Sequence, residues 1–306
     1  MQTNTERYSH EPKITPGMAS LAAATIDIHS VFGKWIHSAD TMNPEFANAA
    51  PYPHIIIPDF LSDELADQID AEFPVDINDR TRWHKYNNPI EVKYANDYMD
   101  TYPASIRRLF LAYTHPEFMD RIRQLTGIPD LEYDEFMHGA GLHIHTTGGR
   151  LGMHLDYERH PITGKHRRIN IILYMSRNWD PAWNGHTELW SADVSECVVR
   201  SPVRFNHAII FRTDDISWHG LPEPIRCPPD QFRKSIAYYY VSPFSQLKDA
   251  NSHDKTENTK REKARFVPRP CDLPISDGLA KLYSIRPHRR ITDDDLALYC
   301  PDWKPC

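Results

Sequence analysis

The spacing of apolar positions changes near Pro129. Upstream it follows helical period. Leu65, Ile69 and Phe73 form one stripe behind Ser62, a side chain suited to an N-cap, with Asp63 and Glu64 in the first turn and Pro74 as the stop. Ile106, Leu109, Phe110 and Tyr113 form a second stripe. After a break at His115-Pro116, Phe118, Ile122 and Leu125 form a third, closed by Gly127. One β-branched run, residues 54–57, precedes these helices and reads as a strand ended by Pro58. Downstream of Pro129 the period shortens. Runs at 132–137, 141–145, 153–157, 168–175, 187–190, 198–199, 208–211, 216–219 and 235–241 read as strands separated by Gly, Pro, Asn and Asp turns. Many short strands of this kind predict a mainly β chain, a sandwich or jelly roll, with the helices on one outer face.

The flanks are less patterned. Residues 1–50 read as a loosely ordered arm in which Ala-rich 18–28 suits a short helix. Residues 80–102 mix aromatics, amides and charges without a period, and read as a surface loop or a lid over a site. The charges of 246–270 are of mixed sign, which predicts a solvated loop. Residues 277–284 and 293–299 suit two helices, and 301–306 a surface tail. The chain thus divides into an arm (1–50), a main domain (51–245, with helical support to 128 and the β core from 129) and a C-terminal extension (246–306).

Composition narrows the class. Hydrophobic residues make up 40% of the 306 positions, enough for a packed core. A net charge of −7 argues against a nucleic-acid partner. Cys197, Cys227, Cys271, Cys300 and Cys306 are scattered and lack a Cys-x-x-Cys pair, which excludes a zinc ribbon and points to reduced thiols. Residues 1–16 lack an apolar signal core, and no apolar run is long enough to span a bilayer. A soluble cytoplasmic protein, without a membrane partner, is the expectation.

The chemistry lies between Gly148 and Ser235. His154-Leu155-Asp156 on a strand would aim an imidazole and a carboxylate to one face, with Leu155 on the other. His219 follows several strands later, and a jelly roll can return it beside that pair. Two imidazoles and one carboxylate suit iron(II) and leave three coordination positions open. Seventeen histidines make chance pairs common, and His143-x-His145 (with Glu158) and His186-x-Glu188 are rival sets. What separates them is Arg233-Lys234-Ser235. A strand opening with Arg-x-Ser turns a guanidinium and a hydroxyl to one face, and the guanidinium fork matches a carboxylate. Tyr157, Glu158 and Arg159 are candidates for a substrate mouth, and Trp218 for the core.

From about Leu125 to Ser242 the chain resembles the iron(II)- and 2-oxoglutarate-dependent oxygenases, in the branch of the prolyl hydroxylases. The resemblance is carried by Gly148-Gly149, His154-Leu155-Asp156, the run from Arg167 to Trp179, Gly185 to Leu189, Pro202 to Phe211, His219-Gly220 and Arg233-Lys234-Ser235. It implies a double-stranded β-helix with His154, Asp156 and His219 as iron ligands. It further implies that Arg233 holds the distal carboxylate of 2-oxoglutarate, assisted by Ser235. Tyr174 stands where relatives place a phenol on that carboxylate, and His145 where relatives often carry a Tyr. The interval from His219 to Arg233 is longer than in the family pattern, and residues 223–231 read as a loop insertion.

Such an enzyme uses Fe(II), 2-oxoglutarate and O2 to hydroxylate an unactivated C–H bond, releasing succinate and CO2. Related halogenases carry a small residue at the position of Asp156, so the carboxylate implies hydroxylation. The acidic charge and the lack of a peptide-docking module lean toward a small-molecule substrate, such as an amino acid or another metabolite. A protein prolyl or other side-chain hydroxylase is the alternative. A non-catalytic metal-binding jelly-roll sensor is the reading from another class.

Overall fold

Along the long strands, inside and outside alternate. A computed structural model describes residues 26–243 and 263–304. Its strands are β1 (His54–Ile57), β2 (His84–Asn87), β3 (Glu91–Asn96), β4 (Glu132–Tyr133), β5 (Gly141–His145), β6 (Arg150–Leu155), β7 (His166–Tyr174), β8 (Thr187–Trp190), β9 (Cys197–Ser201), β10 (His207–Arg212), β11 (His219–Leu221), β12 (Arg233–Ser242) and β13 (Arg265–Phe266). Its helices are α1 (Asn43–Asn48), α2 (Asp63–Glu72), α3 (Ala104–Ala112), α4 (Pro116–Thr126), α5 (Asp277–Ile285) and α6 (Asp293–Tyr299). The strands hydrogen-bond in the order β1-β10-β7-β12-β5-β3-β6-β11-β8-β9, and every pairing is antiparallel. The sheet winds into a nearly closed barrel, the jelly roll expected from the strand pattern.

Strand β12 shows how the two faces divide. Ile236, Tyr238 and Tyr240 face the helices and join the main core with Phe110, Tyr113 and Phe118. The alternate residues Arg233, Ser235, Ala237 and Tyr239 line an internal cavity. Likewise on β5, Leu142 and Ile144 enter the core while His143 and His145 line the cavity. The helices that cover the outer face start and stop as their sequences dictate. Ser62 Oγ accepts from Leu65 N, and Gly127 ends α4 with φ of 69°, a left-handed conformation that disfavours any residue with a Cβ.

Three expectations are corrected. The loosely ordered arm does not extend over residues 26–50: Ile28, Val31, Phe32, Trp35, Ile36 and Phe46 are fully packed in the core, and Trp35 Nε1 donates to Phe60 O at 2.8 Å. Most of the Ala-rich 18–28 segment lies outside the described residues. Residues 80–102 form a hairpin, β2–β3, rather than a loop, and β3 is the link that joins β5 to β6. The strand read over 132–137 is only β4, because Met137 has a positive φ and Asp134 accepts backbone bonds from Phe136 and His138 in a turn.

The packing of the N-terminal segment has a test. A Cβ on Gly33 would lie 1.8 Å from Asp59 O, a backbone atom that cannot swing aside. Gly33→Ala is therefore expected to destabilise the protein by about 1–3 kcal/mol, measured as a lower midpoint in urea unfolding. An unchanged midpoint would mean that residues 26–50 are not anchored there.

Candidate active site

His154 and His219 lie directly opposite each other on adjacent antiparallel strands β6 and β11. Cross-strand neighbours of this kind touch, and the ring centroids are 4.3 Å apart. Asp156, two residues beyond His154, shares its face. Met153 and Leu155 turn the other way, into a cluster with Trp190 and Trp218. His154 Nδ1 lies 2.9 Å from Gly152 O, and His219 Nδ1 lies 2.9 Å from Ser217 O. A carbonyl only accepts, so each Nδ1 carries a proton, and Nε2 is the atom on each ring left to bind a metal. Both Nε2 atoms face Asp156: His154 Nε2 is 3.6 Å from Oδ1 and His219 Nε2 is 3.7 Å from Oδ2. These separations are too long for hydrogen bonds and suit donors that share an ion. The three ligand atoms lie within 4.8 Å of one another, and no other such group occurs among the described residues.

The electrostatics favour a metal. Burial pushes His219 down to about 4, helped by the neighbouring His154, so the ring is a neutral donor at ordinary pH. Burial alone would raise the Asp156 carboxyl. Arg167 and the two histidines outweigh it and hold the group below the usual carboxylate range. Arg167 Nη1 is 3.3 Å from Asp156 Oδ2, and Asn170 Nδ2 donates to the same oxygen at 3.3 Å. The guanidinium of Arg167 is clamped by phenol rings, 3.4 Å from the Tyr157 centroid and 3.3 Å from the Tyr239 centroid, and donates to His138 O at 2.7 Å.

A cavity of about 380 Å³ joins this cluster to Arg233. Arg233 is 3% exposed. Its hydrogen-bond partners are neutral: Nε donates to Gly185 O at 2.6 Å, Nη1 to Ser235 Oγ at 3.2 Å and Nη2 to Thr187 Oγ1 at 3.2 Å. His145 pairs with Arg233 across β5–β12, and neither of its ring nitrogens finds a partner. Burial, then Arg233 and Lys93, push its pKa well down. Among the described residues, one buried cation without a counter-charge and an unsatisfied imidazole on the same wall mark a place for a polar, anionic ligand.

The cavity brings His154, Asp156, His219, Arg233, Ser235 and His145 together. Tyr174 does not line it. Its hydroxyl sits behind the wall, 2.8 Å from Thr187 Oγ1 and 3.2 Å from Ser201 Oγ, while Arg233 Cζ lies 5.1 Å from its ring centroid. Thr187 connects the two, a contact the strand reading did not anticipate. Of the rivals, His143 lines the cavity but Glu158 does not, and Glu188 is occupied by Trp190 Nε1 and Arg200 Nε. Tyr157 reaches the cavity, whereas Arg159 is not among its lining residues. The sequence reading also missed Arg167. A ladder irregularity between Tyr240 and Val241 shifts the register of β7, which lets Arg167 share a face with Asn170 despite the wrong parity.

Comparison with known proteins gives the class. Residues 140–241 match the family model described as the 2OG-Fe(II) oxygenase superfamily. The fold resembles a prolyl hydroxylase of Trichoplax adhaerens, solved in complex with a hypoxia inducible factor oxygen degradation domain peptide, with 13% identity, 69% of this chain and 94% of that one covered, and a TM-score of 0.51. A Pseudomonas putida prolyl-4-hydroxylase aligns with 17% identity over 67% of this chain and 99% of its own, with a TM-score of 0.43. SnoN, an alpha ketoglutarate dependent epimerase of nogalamycin biosynthesis, aligns with 11% identity over 74% and 92%, with a TM-score of 0.45. No curated protein sequence matches. The β core, residues 140–241, thus matches the 2OG-Fe(II) oxygenase superfamily, whose members work with Fe(II), 2-oxoglutarate and O2, and the barrel has the fold of a prolyl hydroxylase. The donor set fits that cofactor, since two imidazoles and a carboxylate are the ligands such iron takes. No helix of the described residues is long and apolar enough to cross a membrane.

Proposed function

We propose that the protein hydroxylates a C–H bond of a small molecule, with His154, Asp156 and His219 holding iron(II) and Arg233 holding 2-oxoglutarate. The observation that carries this reading is one cavity containing both a three-donor cluster and a buried guanidinium with only neutral partners. Iron, 2-oxoglutarate and O2 supply the oxidation, which consumes the two co-substrates and releases succinate and CO2. The chain's own groups bind and orient. Arg233, with Ser235 and Thr187, presents a fork of donors to a carboxylate. Arg167 and Asn170 fix the Asp156 carboxylate from behind, so that it cannot turn away from the two Nε2 atoms. Phe266 stacks on His154, with centroids 4.9 Å apart at 20°, and keeps water off that side of the cluster.

The small-molecule reading rests on the size and lining of the cavity. Besides the barrel strands, the hairpin β2–β3 contributes Tyr86, Glu91 and Lys93 to the wall, and the C-terminal segment contributes Ala264, Phe266, Arg286 and Arg290. A cavity of about 380 Å³ matches the size of metabolite pockets. The test is succinate formation from the Fe(II) protein with 2-oxoglutarate and O2, alone and then with metabolite and proline-peptide libraries. Stimulation by a metabolite is the expected result. Stimulation by peptides alone would move the substrate class, and no succinate under any condition would sink the assignment.

A further inference from the structure

Between β4 and β5 the chain makes a turn outside the strand ladders. Met137, Gly139 and Gly141 take φ of 50°, 77° and 124°, all in the left-handed region. Backbone of this kind persists where its surroundings over-determine it. Asp134 supplies that constraint. Its Oδ1 accepts from Phe136 N and its Oδ2 from His138 N, both at 2.9 Å, in the manner of an Asx turn. Its carbonyl accepts from Met137 N at 3.2 Å and from Tyr238 Oη at 3.1 Å, and Tyr238 belongs to the main core.

The turn presents one carbonyl to the site. His138 O accepts from Tyr157 Oη at 2.8 Å and from Arg167 Nη2 at 2.7 Å. The other end of that guanidinium, Nη1, meets Asp156 Oδ2 at 3.3 Å. A line of contacts thus runs from Asp134 through the His138 peptide and Arg167 to the carboxylate of the metal cluster. His160 backs Asp134, and both are buried. His160 Nδ1 accepts from Ile162 N at 3.2 Å and from Thr163 N at 3.1 Å, so its proton sits on Nε2, which lies 3.2 Å from Asp134 Oδ1. That contact is off good hydrogen-bond geometry and is chiefly electrostatic. Burial alone would raise the Asp134 carboxyl. His160, Arg167 and the His138 amide outweigh it and hold the group low, so it stays an anion.

An Asp that caps an exposed turn, as Asp76 does for Asn78 N, serves that turn alone. Asp134 differs because the carbonyl of its turn holds a side chain that touches Asp156. We infer that Asp134 is a positioning residue of the iron site. By fixing the His138 carbonyl it sets the place of Arg167, and so the direction in which Asp156 presents its oxygens. The inference rests on the reading of His154, Asp156 and His219 as iron ligands. His160 carries the same constraint into the loop after Asp156, whose Tyr157, Pro161 and Ile162 line the cavity.

The test is a double-mutant cycle on the full chain, read as Fe(II) affinity by anaerobic equilibrium dialysis. Asp134→Asn keeps the shape and gives up the charge and one acceptor. It is expected to weaken iron roughly 5- to 10-fold, at or below the low end for outer partners of a metal ligand, because it acts one residue further out. In an Arg167→Met background the same substitution is expected to change iron affinity by less than about 2-fold, since the guanidinium that carries the effect is gone. A field effect of the lost charge, or a general loosening of the fold, would persist in that background. Equal losses in both backgrounds, or full iron affinity in Asp134→Asn, would therefore overturn the inference. His160→Asn keeps an oxygen for the Ile162 and Thr163 amides and loses the contact with Asp134. It takes the place of Asp134→Asn if that variant does not fold, and is expected to show a smaller loss with the same dependence on Arg167; a loss indifferent to Arg167 would again overturn the role. Asp76→Asn is expected to leave iron affinity unchanged, and a loss as large as that of Asp134→Asn would count against any special place for Asp134. Failure of the unaltered protein to bind Fe(II) would instead overturn the choice of iron ligands, and Asp134's role with it.

Discussion

Asp156→Ala is expected to lower iron affinity by at least about 100-fold and to end 2-oxoglutarate-dependent succinate formation. Changing an outer partner of a metal ligand typically costs 10- to 100-fold in affinity, and loss of the ligand itself removes more. Here the effect is compounded by Arg167, whose Nη1 lies 3.3 Å from the carboxylate. With Asp156 gone, a buried guanidinium faces the place where a dication must sit, and nothing offsets the repulsion. The iron-free variant should also be less stable by about 3–5 kcal/mol, because one half of a buried ion pair is left alone. Asp156→Ala combined with Arg167→Met should recover much of that stability without recovering iron. Equilibrium dialysis gives the iron affinity and urea unfolding the stability. Full iron retention in Asp156→Ala would transfer the metal to another set, with His143 and His145 on the cavity wall the first to test.

The parts of this site that were legible in the sequence are those governed by local parity. His154 and Asp156 share a face because they are two apart on a strand, and Arg233 and Ser235 do so for the same reason. The partnership of His154 with His219 is a register fact, set by β6 pairing with β11, and only the fold-level pattern could anticipate it. The helices α2, α3 and α4 were legible because one apolar stripe faces one core.

The hairpin β2–β3 was illegible for a physical reason. Its inward positions Tyr86, Glu91 and Lys93 face a polar cavity, so the apolar alternation that marks a strand is missing where the strand is most useful. The C-terminal segment was legible only in part: helices were expected at 277–284 and 293–299, but nothing in the pattern marked Arg286, which closes on a buried Glu91, or Arg290, which lines the cavity. A charge that faces a ligand site and a charge that faces solvent look alike in one dimension. Residues 26–50 failed differently: their core residues sit in short 3-10 turns whose spacing fits neither period.

Arg233→Met is expected to weaken 2-oxoglutarate by about 100-fold or more, the range for removing one partner of a buried charge pair, while iron affinity changes little. The two effects separate because the guanidinium bonds Gly185, Ser235 and Thr187 and makes no hydrogen bond to any of the three metal-cluster residues. The same substitution should leave the protein without 2-oxoglutarate as stable as before, or more so. A buried cation with neutral partners is a standing cost in the unliganded protein, and burial pushes its pKa down. Arg233→Lys keeps the charge and loses the fork, so its affinity should fall between the two. Lys234 cannot take over, since its ammonium pairs with Asp70 on α2 and lies over the Phe73 ring, away from the cavity. Anaerobic titration of 2-oxoglutarate into the Fe(II) protein, with parallel urea unfolding of the unliganded variants, reads both quantities. Unchanged co-substrate affinity in Arg233→Met would leave Lys93 as the cationic wall residue to test next. A large loss of stability would mean that Arg233 is there to hold the barrel closed rather than to receive an anion.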